Sequence, residues 1–363
     1  MTSNEQQQRK AYQRKNLIYG FGLLTLMGIV YLYRNAQAPP PPQPATKNLI
    51  YFSGQTMGRI TYNVKYIDPT QTNYQGQVDE LLRAFNQSLS TYIPDSEISR
   101  FNAPDSDTLT FESPYFPVVL VSARRVWEIT EGAFDPTVFP LVSAWGFGPN
   151  KKDTLPETAV DSLLGLVNFP ALGFDAEKVW KSDTRIQLDF SAIAKGQAVD
   201  VVADFLAQQG IQNYLVEIGG ELRAAGKNDK GEAWTVGIED PIKAGAGERA
   251  LLARLSLDGK GMATSGNYRN FYYKNGRRYV HTIDPKTGFP IEHQLLSVSV
   301  IAPTCMEADA FATAFMVMGL EKAQQIIANQ PQLQAFFIYE TESGIQTAVT
   351  PGLSVERLDA PKP

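Results

Sequence analysis

The segment LLSVSVIAPTCMEADAFATAFMVMG, residues 295–319, decides the fold class of this chain of 363 residues. Its apolar run over residues 295–301 predicts a strand. Residues 304–319 predict a helix, and Thr304 and Glu307 at its start fit a capping box. A strand that leads directly into a helix indicates that both kinds of element contribute to one core.

Further strands and helices are predicted on both sides of this pair. Residues 58–67 alternate, with Ile60, Tyr62, Val64 and Tyr66 on one face, which is typical of a half-buried strand. Other predicted strands cover residues 214–218, 234–238, 253–257 and 335–339, and residues 271–283 predict a hairpin with an Asn-Gly turn. Helices are predicted around residues 78–89, 117–127 and 198–209. Because strands and helices do not alternate regularly, the fold class is predicted as α+β.

The N-terminal region is predicted to anchor the chain in a membrane. Residues 1–16 would form a short cytoplasmic tail, residues 17–33 an apolar transmembrane anchor, and residues 34–46 a proline-rich linker. The alternative is a cleaved signal peptide, since Ala36-Gln37-Ala38 resembles a cleavage site. Residues 47–363 are predicted to form a single large globular domain, with room for two lobes, on the periplasmic or other extracytoplasmic side of the inner membrane.

Composition excludes several classes of function. The net charge is −5 and no basic block is present, which argues against nucleic acid as the main partner. Cys305 is the one cysteine, so neither an intrachain disulfide nor a thiolate metal cluster can form. Only two histidines occur, His281 and His293, so any metal should be held mainly by oxygen ligands.

The helix over residues 304–319 offers a candidate metal site. Asp309 and Thr313 are four residues apart and would share one helix face, which suits a hard cation such as Mg²⁺ together with phosphate oxygens and waters. Two ordinary roles compete: Asp309 can complement the helix dipole, and Thr313 can bond back to a carbonyl. From this helix alone the ordinary roles are favoured. We expect Asp309 to line the surface, so Asp309→Ala should spare the fold.

The segment DFSAIAKGQ, residues 189–197, is a candidate phosphate site. Its small residues would let a ligand approach the backbone, and Lys195 could meet a phosphate as a point charge. Gly196 is expected just before the predicted helix, where free N–H groups favour anions. The alternative is a strand-to-helix turn with a solvated Lys195, which taken alone is more common.

Three other polar segments are candidates. Residues 264–270, TSGNYRN, mix hydroxyls with an arginine and suit phosphate or acceptor contacts. His281 ends a predicted strand and could accept a hydroxyl proton. In residues 132–137, GAFDPT, Phe134 could contact an aromatic ring system and Asp135 a ribose or ring nitrogen. The structural alternatives are a polar loop, a histidine that caps a turn, and an Asp-Pro turn with a buried phenylalanine.

Several common nucleotide-binding and hydrolase motifs are absent. The sequence contains no G-x-x-x-x-G-K-S/T phosphate loop and no G-x-S-x-G nucleophile elbow. Gly219-Gly220 lacks the G-x-G-x-x-G spacing, so a Rossmann dinucleotide site is not supported.

The motifs, taken together and in order, resemble the ApbE family of FAD:protein FMN transferases. They are Thr56-Met57-Gly58, Ser90-Thr91-Tyr92, SEISRFN at residues 96–102, GAFDP at 132–136, DFSAIAKG at 189–196, EIGGE at 217–221, Thr264-Ser265-Gly266, HTIDPKTG at 281–288 and EADA at 307–310. The resemblance covers residues 50–319, and so many ordered matches are improbable by chance.

The resemblance implies a set of site residues. Positions that match the family's FAD contacts are Met57, Tyr92, Ala133, Phe134, Asp135, Asp189, Lys195 and Ile283. Its metal ligands match Asp309, Thr313 and Ala192, the last through its backbone carbonyl. Its catalytic histidine matches His281, which joins Asp309 as a candidate catalytic residue. The sequence departs from members that have an aspartate at the position of Ala312, which puts a second metal-shell carboxylate in doubt.

The implied activity is Mg²⁺-dependent transfer of FMN from FAD to a threonine or serine hydroxyl of an acceptor protein, with release of AMP. Membrane redox-pump subunits and FMN-binding domains outside the cytoplasm are the implied acceptors. Two alternatives stay open: an FAD pyrophosphatase that gives FMN and AMP, and a non-catalytic FAD-binding protein.

Overall fold

The structure is a computed structural model. It describes residues 28, 48–147, 159–245, 247–248, 250–267, 271–274 and 277–358, without the side chains of 271–274 and 277–279. The predicted tail, anchor and linker therefore lie outside the described residues, apart from Gly28. Within the described ranges, no helix has both the length and the apolar character needed to cross a membrane. From Asn48 onward the described chain forms one compact unit, as the predicted single domain requires.

The described residues include sixteen strands. In chain order they are β1 (Leu49–Thr56), β2 (Ile60–Ile67), β3 (Thr108–Thr110), β4 (Leu172–Phe174), β5 (Lys178–Lys181), β6 (Tyr214–Ile218), β7 (Glu221–Ala225), β8 (Trp234–Glu239), β9 (Leu251–Leu257), β10 (Lys260–Gly266), β11 (Phe271–Lys274), β12 (Arg277–Val280), β13 (Leu295–Ala302), β14 (Gln334–Thr341), β15 (Gly344–Val349) and β16 (Glu356–Arg357).

Eight strands form the main sheet, in the spatial order β1-β2-β6-β7-β10-β13-β14-β15. Every neighbouring pair in it is antiparallel. Smaller sheets are formed by β16-β9-β8, by β3-β5-β4 and by the hairpin β11-β12. An antiparallel sheet with helices that do not alternate with its strands confirms the predicted α+β class.

The helices are, in chain order, α1 (Gln75–Leu89), α2 (Glu97–Phe101), α3 (Tyr115–Ile129), α4 (Phe139–Ala144), α5 (Val160–Leu164), α6 (Ala194–Gln208), α7 (Pro241–Gly245), α8 (Cys305–Met318) and α9 (Leu320–Ala328). Among them, α1, α3, α6 and α8 supply side chains to the largest buried cluster. In that cluster they meet residues from one face of the main sheet, including Val64, Val216 and Val298.

The opposite face of the main sheet is covered by β8 and β9. Side chains of β13 divide between the two sides, with Val298 and Val300 in the helix-side core and Ile301 in the other cluster. This alternation is what a strand between two apolar layers requires. The helix layer on one side and the small sheet on the other fix β10, β13 and α8 at the centre of the molecule.

Two boundaries differ from the sequence prediction and change the interpretation of the site. Helix α6 begins at Ala194 rather than at residue 198, so Gly196 lies in its first turn and not before it. Thr264, Ser265 and Gly266 belong to β10 rather than to a polar loop. Asn267 follows the strand and is buried, whereas residues 268–270 of that predicted loop lie outside the described residues, as does the predicted turn at 275–276.

Candidate functional site

The candidate site is organised around a buried acid on α8. Asp309 is only 2% exposed, so the expectation that it lines the surface is wrong. The reason is visible in α8, whose sequence is mostly apolar and which is packed against α6, β10 and β13. The Asp309 Oδ2 atom accepts a hydrogen bond of 3.0 Å from the backbone N–H of Gly196.

Lys195 and Glu221 complete this cluster of charges. The Lys195 Nζ atom contacts Glu221 Oε1 directly and lies 3.8 Å from Asp309 Oδ1. Glu221 is 3% exposed, and its Oε2 atom has no hydrogen-bond partner among the described residues. The predicted alternative of a solvated Lys195 is therefore wrong: this ammonium is paired inside the protein.

Burial dominates the electrostatics of the cluster. It raises the pKa of Asp309, although Lys195 and the Gly196 N–H oppose it. Burial likewise raises the pKa of Glu221, to about 7, against the attraction of Lys195. Burial alone would lower the pKa of Lys195, but the Asp309 and Glu221 carboxylates outweigh it and the pKa is raised. Two acids thus share one ammonium, and the cluster favours an additional cation.

Two glycines allow α8 to reach this position. A Cβ atom at Gly196 would lie 2.3 Å from the carbonyl oxygen of Cys305, and one at Gly261 would lie 2.2 Å from the Cys305 nitrogen. Neither position has room for a side chain. As a result, the backbones of α6 and β10 contact the backbone at the start of α8 directly. In the structure Gly196 therefore serves helix packing, and its N–H is bound by a carboxylate of the protein itself.

The Gly219-Gly220 turn connects the charged cluster with the first hairpin. Both glycines have positive φ, 64° and 106°, as a tight two-residue turn between β6 and β7 requires. A Cβ atom at Gly219 would lie 2.7 Å from Ile60 Cγ2 and 3.8 Å from Lys195 Cδ. This turn places Glu221 beside Lys195. The β1–β2 turn, where Met57 has a positive φ of 47°, lies at the same end of the strands, because Tyr62 of β2 pairs with Ile218 of β6.

Thr313, the second predicted metal ligand, lies one helical turn after Asp309. Its Oγ1 atom is 3.2 Å from Ser265 Oγ on β10, and both residues are half-buried. The neighbouring Thr264 hydroxyl is bound to Ser299 at 2.7 Å. Of the three hydroxyl or glycine residues predicted to contact phosphate or acceptor, Ser265 is thus brought to the helix face that carries the metal candidates.

The segment before α6 forms a compact turn around Asp189. The Asp189 Oδ1 atom accepts hydrogen bonds from the backbone N–H of Ser191 at 2.8 Å and from its hydroxyl at 2.5 Å. Burial raises the pKa of Asp189 in spite of these bonds. The Tyr92 side chain is 67% exposed as a whole. Partial burial is the larger cause that raises the pKa of its hydroxyl, and the Asp189 charge is the smaller one. Ala192 is half-buried in the same turn, three residues before Lys195.

Asp135 is held by the protein on both carboxylate oxygens. Oδ1 accepts from the Thr137 N–H and hydroxyl, and Oδ2 accepts from Trp127 Nε1 at 3.0 Å. Ala133 and Phe134 beside it are 5% and 3% exposed. The structural alternative, an Asp-Pro turn with a buried phenylalanine, describes this segment. The backbone N–H of Asp189 donates to Pro136 at 2.7 Å, which joins the two predicted FAD-contact segments.

His281 and Ile283 are placed by a different set of neighbours. Ile283 is 5% exposed and belongs to a small cluster with Leu141, Trp145 and Val160. The His281 ring is half-buried and lies edge-on to Phe147, with ring centroids 6.4 Å apart. A hydrogen bond of 2.8 Å from Trp145 Nε1 to the Gly288 carbonyl anchors the end of this segment. The predicted base is therefore half-buried next to Phe147, shortly after the end of α4.

The residues present fit a hard divalent cation. In the described part of the chain, no group of three or more His, Cys, Asp and Glu side chains gathers as a metal site. The Asp309 and Glu221 carboxylates both face the Lys195 ammonium, and Thr313 follows Asp309 by one turn of α8. Among the described residues, the Glu221 Oε2 atom has no hydrogen-bond partner. Mg²⁺ is commonly held by one or two carboxylates, with substrate phosphates and waters supplying the remaining oxygens. Ala312 is fully buried and adds no ligand side chain.

Two residues of the site carry no role in the sequence prediction. Glu221 belongs to the EIGGE segment, and the Gly-Gly pair before it could have indicated the tight turn that places this side chain beside Lys195. Asp200 accepts hydrogen bonds from the backbone N–H groups of Cys305 at 3.0 Å and Met306 at 2.8 Å. It therefore caps α8 from outside the helix, alongside the predicted cap Thr304, whose hydroxyl accepts from the Glu307 N–H. Nothing local in sequence marks such a distant cap.

Comparison with known proteins agrees with this arrangement. The model of the ApbE family matches residues 57–337. The FAD:protein FMN transferase of Haemophilus influenzae is 42% identical over 318 residues, which cover 84% of this chain and 90% of the relative. The FAD:protein FMN transferase of Vibrio cholerae is 40% identical over 303 residues, covering 82% of this chain and 89% of the relative.

Solved structures agree as well. The flavin transferase ApbE from Vibrio cholerae superposes with a TM-score of 0.75 at 38% identity, covering 84% of this chain and 97% of that one. The apo form of the Pseudomonas stutzeri flavinyl transferase ApbE gives a TM-score of 0.75 at 36% identity, covering 84% and 95%. The family-model match over residues 57–337 includes Lys195, Glu221 and Asp309, and the chain belongs to the ApbE family.

Proposed function

We propose that this chain transfers FMN from FAD to a threonine or serine hydroxyl of an acceptor protein and releases AMP. One observation carries the proposal: a buried cluster of two acids and one ammonium, Asp309, Glu221 and Lys195, lies beside a Gly-Gly turn in a chain of the ApbE family. Relatives with 35–42% identity bear the name FAD:protein FMN transferase. A diphosphate substrate suits such a cluster because it can bring a divalent cation with it.

Mg²⁺ is the cation that we propose for this cluster. Asp309, Thr313 and the backbone carbonyl of Ala192 would hold it. Bound there, it would supply positive charge to the diphosphate of FAD as negative charge develops on the leaving AMP. Lys195, which is already charged inside the protein, would contribute to the same balance.

The transfer step forms one bond and breaks one. The acceptor hydroxyl oxygen attacks the phosphorus on the FMN side of the diphosphate, the bond from that phosphorus to the bridging oxygen breaks, and AMP leaves with the bond's electron pair. The hydroxyl proton passes to a base, for which His281 is the candidate because an imidazole can accept a hydroxyl proton. Positioning and electrostatics supply most of the rate enhancement in such reactions.

The FAD contacts are proposed on the same basis. Met57 lies at the β1–β2 turn, Lys195 beside the Gly-Gly turn, and Asp189 and Tyr92 near each other at the turn before α6. Ala133, Phe134, Asp135 and Ile283 would add further contacts, Asp135 through the turn that it holds rather than through a free carboxylate oxygen. We also propose that residues 17–33 anchor the chain in the inner membrane with this domain outside the cytoplasm. Acceptors would then be redox-pump subunits or FMN-binding domains on that side.

The test is co-expression with a candidate acceptor. An FMN-binding domain is produced with and without this chain, and its mass is measured after denaturation. The proposal predicts a mass increase of one FMN less one water only when the chain is present, and none when the acceptor's target threonine is replaced by alanine. Unmodified acceptors across several such domains would contradict it. Release of free FMN and AMP alone would instead favour a pyrophosphatase, and tight FAD binding without turnover a binding protein.

A further inference from the structure

Glu221 is a buried acid with one oxygen unaccounted for. Its side chain is nearly inaccessible to solvent, and no donor among the described residues reaches Oε2. A buried carboxylate oxygen without a partner costs free energy, about 1–3 kcal/mol or more. A compensating role would offset that cost, and the strong contact that the structure gives Glu221 is with Lys195.

The position of Lys195 shows what that role is. The ammonium contacts Glu221 directly but lies 3.8 Å from Asp309 Oδ1. A charge-assisted hydrogen bond between an ammonium and a carboxylate is about 2.7–2.9 Å long, so Lys195 is bonded to Glu221 and only adjacent to Asp309. Both carboxylates attract the same cation in a poorly hydrated environment, where the attraction is strong.

We propose that Glu221 is a positioning residue that holds the Lys195 ammonium away from Asp309 and thereby keeps Asp309 Oδ1 open to a divalent cation. Without the Glu221 charge, Lys195 would be drawn to Asp309, occupy the lone pairs that a metal needs, and repel the metal. The inference rests on the metal site of the proposed function and adds a residue that acts on that site through Lys195.

The geometry distinguishes this role from a purely structural one. A structural ion pair would serve equally well if Lys195 were bonded to either acid, and its removal would lower stability alone. The positioning role instead links three groups: removing the Glu221 charge should weaken metal binding, and removing the Lys195 ammonium as well should restore it. Such a reversal is the signature of coupling between neighbouring residues.

The experiment measures Mn²⁺ binding to the purified full-length chain without FAD, using electron paramagnetic resonance to quantify free Mn²⁺ as a substitute for Mg²⁺. The variants are Glu221→Gln, Lys195→Met and the double variant. Glu217→Gln is the matched control, because Glu217 lies in the same hairpin but is bonded to the Gly220 N–H and to Asn63. Thermal unfolding of each variant without metal reports whether the fold is retained.

We expect Glu221→Gln to weaken Mn²⁺ binding at least tenfold, Lys195→Met to bind at least as tightly as the original chain, and the double variant to recover most of the loss. Glu217→Gln should bind within twofold of the original. Unchanged binding in Glu221→Gln, or a double variant as weak as the single one, would overturn the proposal. If Glu221→Gln does not fold, Lys195→Met decides, since tenfold weaker binding there contradicts the account.

The original chain separates this inference from the proposed function. If it binds no Mn²⁺ at all, the metal site itself fails and the positioning role fails with it. If it binds Mn²⁺ and only the Glu221→Gln result disagrees, the metal site stands and Glu221 has a structural role alone.

Discussion

Asp135 and Asp309 are both buried acids whose pKa is raised by burial, yet the protein treats them differently. Asp135 receives hydrogen bonds on both oxygens from Thr137 and Trp127. Asp309 receives one on Oδ2 from Gly196, and among the described residues Oδ1 has only the nearby ammonium of Lys195, at 3.8 Å. The first carboxylate is used to hold a turn, while the second is left with capacity for a ligand.

The difference teaches how to separate structural acids from functional ones in this fold. Burial alone does not distinguish them, since both side chains are less than a tenth exposed. The number of donors that the protein itself supplies does distinguish them, because a saturated carboxylate has paid its desolvation cost within the fold and an unsaturated one has not. Substitution of each acid can test this distinction.

The largest effect is expected at Asp309. Asp309→Asn preserves shape but removes the charge that would hold a cation, so FMN transfer should slow by roughly 10²–10³-fold, as when one electrostatic contact to a transition state is lost. The measurement is the initial rate of flavin attachment to an acceptor at saturating FAD. A rate within threefold of the original chain would show that Asp309 is as structural as Asp135.

A second effect concerns Asp200, an acid of intermediate kind that caps α8 and is paired with Arg223. Burial raises its pKa from 3.8 to about 6. Because the folded protein then holds the proton more tightly than the unfolded chain, the contribution of Asp200 to stability is complete below pH 3.8 and falls as pH rises towards 6. The loss should be of the order of 3 kcal/mol or less.

The measurement is denaturant unfolding between pH 4 and pH 7.5 for the original chain and Asp200→Asn. The free energy of unfolding of the original chain should fall relative to that of Asp200→Asn as pH rises, and the difference should level off above about pH 6. A difference that does not change with pH would show that Asp200 titrates alike in both states.

The smallest effect is expected at Asp135. Asp135→Asn turns one acceptor into a donor that faces Thr137 or Trp127, so stability should fall by about 2 kcal/mol. The midpoint of denaturant unfolding checks this. Mn²⁺ affinity should not change, because Asp135 contacts no member of the charged cluster in the described structure. Weaker Mn²⁺ binding with unchanged stability would reverse the roles assigned to the two acids.

The sequence predicted local elements well where periodicity was strong. The alternating face of β2 is confirmed, with Tyr62, Val64 and Tyr66 fully buried, and β6 has the predicted bounds. Strand β7, ELRAA, was missed because its residues do not alternate in polarity. Its pairing with β6 depends on two glycines with positive φ. Part of strand β10 was predicted as a loop because its polar residues do not show the alternation of a strand. Its extended conformation depends on pairing with β7 and β13.

The sequence identified the residues of the candidate site better than it predicted their burial and their partners. Asp309, Thr313 and Lys195 were identified, but the burial of Asp309 was missed, although the mostly apolar sequence of α8 indicated it. The Lys195–Glu221 pair joins residues 26 positions apart, and the Asp200 cap of α8 spans 105 positions. Such contacts depend on tertiary packing that no local pattern encodes.

The decisive measurement is transfer of FMN by the purified chain, with and without free Mg²⁺. The chain is incubated with FAD and an acceptor domain, in Mg²⁺ or in excess chelator, and acceptor mass and AMP are followed together. The account predicts covalent FMN and equimolar AMP in Mg²⁺, and neither in chelator. Undiminished transfer in chelator would contradict it, as would AMP release in Mg²⁺ with the acceptor unmodified.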